Sequence, residues 1–476
     1  MKLELTRREM LRLTAGAGAL MGASTLGGCS LFERLRNRPR RRDIATLAPD
    51  HPDLVTYRAA VKAMKALPDS NPRSWSAQAK IHLEHCPHGN WFFLPWHRAY
   101  LYYFEQICCE LTGNNDFGLP YWNWQKNRKI PNAFWGSSSN PLRHSPRFAT
   151  SSSQAAAWAV GANVIEDILD EPNFFVFGSG PAAAGKLEGT PHNHIHGFVG
   201  GTMSTYDSPL DPIFWCHHNM VECLWVEWNR RGHGNPNDST WTKHIFNGQF
   251  VNGQGDLIED LTVESTLLMP IFGYRYESPT KGKDPSGTIT NRQLEGLLER
   301  GAKVEVQVLE RFDLDGELRI GVGQAITRRS RVSELALEQS LKAGVAGRQE
   351  GDRLFLIASG LQPPENEDYF VHVYVGEVDD PPADPLEDPR YAGSFSFFTD
   401  PESPHHDHPQ SFRIDLTDTL RQLSDSGNQT EEIAVTLAPG TLEGREVQDQ
   451  TFAARELRIE RSRVTPSAPV IKARGR

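Results

Sequence analysis

Apolar side chains recur at helical spacing from residue 53 to 67 (Leu54, Tyr57, Val61, Met64), which predicts a first amphipathic helix ended by Pro68. A short second helix is predicted over 75–85, WSAQAKIHLEH, with His82 inside it. Pro95 fits the start of a third, which runs through Tyr100, Leu101, Phe104 and Leu111 and is apolar on most sides, so it belongs at the centre of a bundle. Cys108 and Cys109 fall on it and read as core. The segments around Asn114, Gly118 and Pro131 read as loops. Residues 137–153, rich in Ser, Asn and Pro, read as surface at the mouth of a pocket, and 174–185 as a further loop. In the stretch 191–228, His192 and His196 stand four apart and share one helix face. Asp211 then offers an N-cap, Pro212 suits the first helical position, and an apolar run carries His217 and His218.

Past residue 290 the period changes. Val304, Val306 and Val308 alternate with polar residues, and so in part do Leu354, Leu356, Phe370, Val371, Val373 and Val375, between Gly, Pro and Asp clusters. The expected fold is mainly α: a helical-bundle domain over 43–280, a linker (TKGKDPSGTIT), a smaller β-rich domain over 290–465 carrying an acidic loop at 379–389, and a loose tail over 466–476, with the chain after Arg461 already read as basic and loose. A chain of 476 residues has room for about two or three domains. Its formal net charge of -10 is spread rather than clustered, which argues against a nucleic-acid partner.

The first 28 residues read as a targeting segment. Thr6, Arg7 and Arg8 resemble a twin-arginine signal, followed by an apolar run over 13–26 that is shorter than the ~20 residues a membrane span needs. The run ends in LGGC, which resembles a bacterial lipoprotein cleavage box with Cys29 as the lipidated residue; ordinary peptidase cleavage nearby is the alternative. Export by the twin-arginine route implies a periplasmic or outer-surface location, with membrane attachment through Cys29. Residues 29–42, with Arg34, Arg36, Arg38, Arg40, Arg41 and Arg42, read as an exposed basic tether.

The chemistry sits in two histidine stretches. One contributes His192 and His196 with His217 or His218. The other, IHLEHCPHGNWFFLPWHRAYLYYFE, contributes His82, His88 and His97, with His85 as a spare. Helix geometry does not decide between His217 and His218. Di-iron bundles use Glu and Glu-x-x-His ligands and zinc hydrolases HExxH or mixed sets, neither of which is supplied here. An all-imidazole pair suits copper. Several of the eleven Trp lie in these stretches, where their rings could wall a pocket.

FLPWHRAYLYYFE and DPIFWCHH followed by LW resemble the two copper-binding signatures of the type-3 copper proteins, the tyrosinases, catechol oxidases and more distantly haemocyanins, over residues 70–276. The resemblance implies that His82, His88 and His97 hold one copper and His192, His196 and His218 the other. It implies O2 as co-substrate and oxidation of o-diphenols to o-quinones, with hydroxylation of monophenols. An o-aminophenol oxidase on the same site, a reversible O2 carrier and a zinc hydrolase are the competing readings. Glu188 and Asn193 in LEGTPHNH match the pair that holds a phenol-deprotonating water in plant members. Cys86, two before His88, matches the CxH whose sulfur is bonded to the ligand ring in fungal members; a buried free Cys is the alternative. VQVLERFDLDG and RYAGSFSFF resemble the C-terminal domain of plant polyphenol oxidases, which covers the copper site, and Tyr274 and Tyr276 the paired tyrosines ending the core domain. Where the family has Asn and Asp after its HH pair, this chain has Met220 and Glu222, and Glu222 is expected to orient a ligand ring in the Asp's place. His194 is expected on an exposed face. His51, His144, His233 and His244 read as loop or surface residues, and His405, His406 and His408 as an exposed loop cluster.

Overall fold

The computed structural model describes residues 38–277, 303–314, 318–330, 351–362, 369–398, 409–426, 432–441 and 451–465. The targeting segment, the linker over 280–290, His405, His406, His408 and the tail past 465 lie outside the described residues.

Five of the helices of the first domain frame the site. Helix α1 (Pro52–Ala66) begins on a proline, with His51 Nδ1 accepting the Asp53 amide. Helix α2 (Trp75–His85) is capped by Ser74, whose hydroxyl accepts from Ala77 N. Helix α3 (Phe93–Thr112) buries most of its sides and ends on Gly113, whose φ of 70° is left-handed. A π-type turn (Glu188–His192) leads into α4 (Asn193–Val199). Helix α5 (Ile213–Arg230) starts one residue after the expected position: Pro212 precedes it and Asp211 Oδ1 accepts the Ile213 amide. Helices α3 and α5 pack at the centre, with Phe104 and Trp215 stacked at 3.5 Å.

Charge is buried in this core, much of it in pairs. Arg41 Nε lies 2.8 Å from Glu105 Oε2 and Arg98 Nε 2.8 Å from Glu222 Oε1. This corrects the basic tether. Residues 38–42 belong to the helical body: β1 (Arg40–Arg41) pairs in parallel with β2 (Arg275–Tyr276), and Arg41 is fully buried. Arg38 is also buried, donating to the carbonyls of Pro270, Ile271 and Tyr274. A guanidinium goes inside when carboxylates, carbonyls and ring faces meet its donors, and Arg41 lies 3.5 Å over the Tyr274 ring.

The second domain packs two antiparallel four-stranded sheets. In chain order the strands are β3 (Lys303–Arg311), β4 (Leu318–Gly321), β5 (Ile326–Ser330), β6 (Gly351–Leu361), β7 (Tyr369–Val375), β8 (Tyr391–Ser396), β9 (Gln410–Asp415), β10 (Ile433–Thr441), β11 (Thr451–Ala454) and β12 (Glu456–Thr465). One sheet has the order β9-β6-β12-β3, the other β8-β7-β10-β5, and β11 pairs with β4. Leu354, Leu356, Val371, Val373, Leu437 and Ile459 fill the space between. The strand to Thr465 shows that the chain after Arg461 is not yet a loose tail. Val306 and Val308 alternate as expected but face outward, 50% and 39% exposed, because β3 is an edge strand.

Strand β6 is apolar on both faces. Its second face, Phe355 and Ile357, packs on Val176 of the helical body. Around that contact, Ala184 N donates to Ser411 O and Arg413 N to Ala184 O. Arg353 Nη1 lies 2.5 Å from Glu171 Oε1, and its Nη2 pairs with Asp415.

Candidate metal centre

The site forms where α2, α3, α4 and α5 point histidines at one another. His82 stands in the last turn of α2, His97 in the first turns of α3, and His88 in the loop between. Their ring nitrogens come within 4.8 Å of one another, as do those of His192, His196, His217 and His218. The two groups face each other: the rings of His97 and His218 stack 4.3 Å apart at 9°. His196 Nε2 lies 3.2 Å from His218 Nε2.

Four rings are fixed from behind. Nδ1 of His82, His97 and His196 donates to the carbonyls of Tyr206 (2.7 Å), Phe93 (2.8 Å) and Met203 (2.5 Å), and Nδ1 of His192 to Asn193 Oδ1 (2.7 Å). The proton therefore sits on Nδ1 and the Nε2 lone pair is the inward one. Burial pushes His97 and His196 down to about 3 and His192 and His218 well below the usual imidazole value, so the rings are neutral. Buried Nε2 atoms of His97 and His192 have no hydrogen-bond partner. Such orphans are costly unless something accepts the lone pair. Neutral nitrogen donors, with no carboxylate or thiol in either group, fit two copper ions.

Cys86 Sγ lies 3.5 Å from His88 Nδ1. Cys86, Cys108, Cys109, Cys216 and Cys223 are all buried and form no disulfide. Glu188 is buried. Gly89 N donates to its Oε1 at 2.6 Å, and the Ser179 hydroxyl bonds its Oε2. Burial outweighs those two contacts and pushes its carboxyl up to about 8.

The β domain closes the site. Phe398, just beyond β8, places its ring 4.3 Å from that of His196, 4.8 Å from His88 and 5.2 Å from Tyr206. Thr190 Oγ1 donates to Ser394 O and Asn193 Nδ2 to Ser396 O, each at 2.6 Å. A cavity of about 280 Å³ lies at the same seam, lined by Trp158, Lys186, Tyr391 and Phe412 among others, and none of the site histidines lines it.

Of the expected site residues, His82, His88, His97, His192, His196 and His218 converge, and His217 joins the second group. His85 is exposed beside Glu84. Two expectations are corrected. His194 is buried, because Trp158 packs 4.8 Å away and its Nε2 accepts the Ala156 amide. Glu222 orients no ligand ring: its Oε1 accepts from Arg98 and Tyr274. His233 and His144 lie in loops as expected, where His233 Nε2 donates to Leu169 O and His144 Nε2 bonds Thr202. Sequence reasoning missed Phe398 and Asn219. Asn219, directly after the His pair, accepts from Arg41 Nη1 and bonds Tyr276. Its signal was the polar residue inside an otherwise apolar helix.

The common central domain of tyrosinase matches residues 70–155 and 131–231. A chloroplastic polyphenol oxidase of Malus domestica is 27% identical over 443 residues, covering 80% of this chain and 72% of that one. A tyrosinase of Hahella sp. (strain CCB-MM4), HcTyr1, is 30% identical over 297 residues, covering 50% and 62%. Among solved structures, latent apple tyrosinase shares the fold with a TM-score of 0.68 at 23% identity, over 89% of this chain and 97% of that one. Residues 70–231 thus carry the common central domain of tyrosinase with its paired imidazole groups, in a chain similar over most of its length to plant polyphenol oxidases.

Proposed function

We propose that His82, His88 and His97 hold one copper ion and His192, His196 and His218 the other, in an enzyme that oxidises o-diphenols to o-quinones with O2. The observation that carries this is the face-to-face approach of two neutral, buried imidazole groups with inward lone pairs. When bound, the copper pair supplies two electrons together and polarises a phenolic oxygen. The chain's residues do the rest. The carbonyls of Phe93, Tyr206 and Met203 and the amide of Asn193 fix the rings. Phe93, Tyr206 and Phe214 keep the surroundings apolar, as an aromatic substrate requires.

Phe398 stands where a phenol ring would lie, so the β domain withdraws before substrate enters. Glu188 accepts the proton of an incoming monophenol through a water, with Asn193 as second partner. The Asn193 donor is held by Ser396 O in the covered form and becomes available when the domain leaves. Hydroxylation of monophenols accompanies diphenol oxidation on this reading. Metal analysis with oxygen uptake on a panel of mono- and diphenols tests it: two coppers per chain and catechol-driven uptake support it, and zinc without uptake overturns it. We also propose export by the twin-arginine signal at Thr6, Arg7 and Arg8, with a lipid on Cys29. A Cys29→Ala chain that stays in the membrane fraction would overturn the anchor.

A further inference from the structure

Ser179 is a buried hydroxyl with three polar neighbours. Its Oγ bonds Glu188 Oε2, lies 2.7 Å from the carbonyl of Gly178, and is 3.4 Å from the Gly185 amide. One hydroxyl carries one proton, so it cannot donate to Glu188 and to Gly178 O at once. The two contacts are alternatives. With Glu188 ionised, the Ser179 O–H points at Oε2 and the Gly89 N–H at Oε1. Gly178 O is then still satisfied, because Gly185 N donates to it at 2.9 Å. With Glu188 protonated on Oε2, its own O–H donates to Ser179 Oγ, and the Ser179 proton swings to Gly178 O. Neither state leaves a buried polar atom unpaired.

The loop holding Ser179 is tight. Ser179 bridges Ala184 across it, Gly180 N donates to Ala183 O, and a Cβ on Gly185 would lie 2.5 Å from Gly178 O. The hydroxyl can therefore turn while its oxygen stays in place.

We propose that Ser179 is a positioning residue that satisfies Glu188 in both protonation states, so that this carboxylate can take up and release the phenolic proton in a water-poor site. The step moves one proton, from the phenol O–H by way of a water to Glu188 Oε2, leaving a phenolate. It needs no other reactant. The inference rests on the reading of Glu188 as proton acceptor, and three variants separate the two.

The test uses the copper-loaded full chain, with Phe398→Ala as common background, and reads the ratio of phenol hydroxylation to catechol oxidation. Ser179→Ala lowers that ratio about tenfold, the worth of one hydrogen bond to a charged group, and Ser179→Thr, which keeps the hydroxyl, restores it. Infrared difference spectra against Glu188→Gln isolate the Glu188 carboxyl band without any turnover: Ser179→Ala shifts that band and Ser179→Thr leaves it in place. An unshifted band, an unchanged ratio, a Thr variant as poor as Ala, or loss of copper from Ser179→Ala would each overturn the proposal. If Glu188→Gln itself leaves the ratio intact, the proton-acceptor reading falls and takes Ser179 with it. If only Ser179→Ala is silent, the Glu188 reading survives alone.

Discussion

The helical body and the β domain are stabilised by different means. The body keeps charge inside, in the pairs Arg41–Glu105 and Arg98–Glu222, with guanidinium planes over Tyr274 and Trp225. The space between the two sheets is filled by apolar side chains such as Leu356, Val373 and Leu437. Their seam resembles neither. Its apolar contacts are scattered, Val176 against Phe355 and Ile357, Trp158 against Phe370 and Phe398 over the histidines, among backbone bonds and the ion pairs of Arg353 with Glu171 and Asp415. Water can replace most of those contacts, as at other interfaces between domains. The metal site is built into the body, and its cover rests on that body through a seam of mixed polar and apolar contacts.

The comparison breaks most sharply at the histidines. His97→Ala or His218→Ala removes one of the two coppers and brings catechol-driven oxygen uptake to background, as metal analysis and an oxygen electrode would report. Full activity in either variant sinks the ligand assignment. Inside the body, Arg98→Met leaves buried Glu222 with only the Tyr274 hydroxyl and the more distant Arg41, at 3.9 Å, which costs at most about 3–5 kcal/mol. Denaturant unfolding reads that cost as a lower midpoint. At the seam the outcome differs in kind. Phe398→Ala vacates the space over the rings and raises catechol oxidation about tenfold or more, with copper content unchanged. A rate equal to the parent's would mean that Phe398 does not bar entry.

How much of this was legible beforehand depends on the range of the forces. Helix α2 appears at the predicted residues because its apolar positions and its Ser74 cap are local. The two histidine sets were legible because each lies within a short stretch, although only His192 and His196 were paired by helical period; His82, His88 and His97 come from two helices and the loop between them. The burial of Arg41 was not legible, since its partners Glu105, Asn219 and Tyr276 come from distant parts of the chain. Without them six arginines in a row of twelve residues look like solvent. His194 was misplaced on similar grounds: helix phase puts it opposite His192 and His196, and only the Trp158 packing covers it. Phe398 ends the stretch RYAGSFSFF, whose resemblance points to a covering domain, but nothing local singles out its ring. Its position over the histidines follows from how the two sheets dock on the body.

Acid sharpens the contrast between seam and body with the smallest effect. Burial pushes the Asp415 carboxyl up, but the Arg353 and Lys186 cations and its bonds to Thr417 more than offset this and hold it at about 2, against an ordinary 3.8. A depressed carboxyl stabilises the state that depresses it above pH 3.8, and that stabilisation is lost as pH falls towards 2. Arg353 and Thr417 lie on the same domain as Asp415, so only the part due to Lys186, less than about 2 kcal/mol, depends on the seam. His372 acts earlier in the same direction. Burial, with Trp158 4.7 Å away, and then the neighbouring His194 hold it down at about 3, so it stays neutral while the seam is closed. An opened seam lets it regain its ordinary 6.5, and protons then favour opening from about pH 6.5 downwards. The covered form should therefore loosen in two stages, a shallow one below pH 6.5 and a steeper one below pH 4, while the body keeps its helices. Limited proteolysis between the domains against far-ultraviolet circular dichroism reads the two separately. His372→Phe should erase the first stage and Asp415→Asn the second. If both variants open with the parent's pH profile, the cover is held by its apolar contacts and Phe398 instead, and the ion pairs at the seam are incidental.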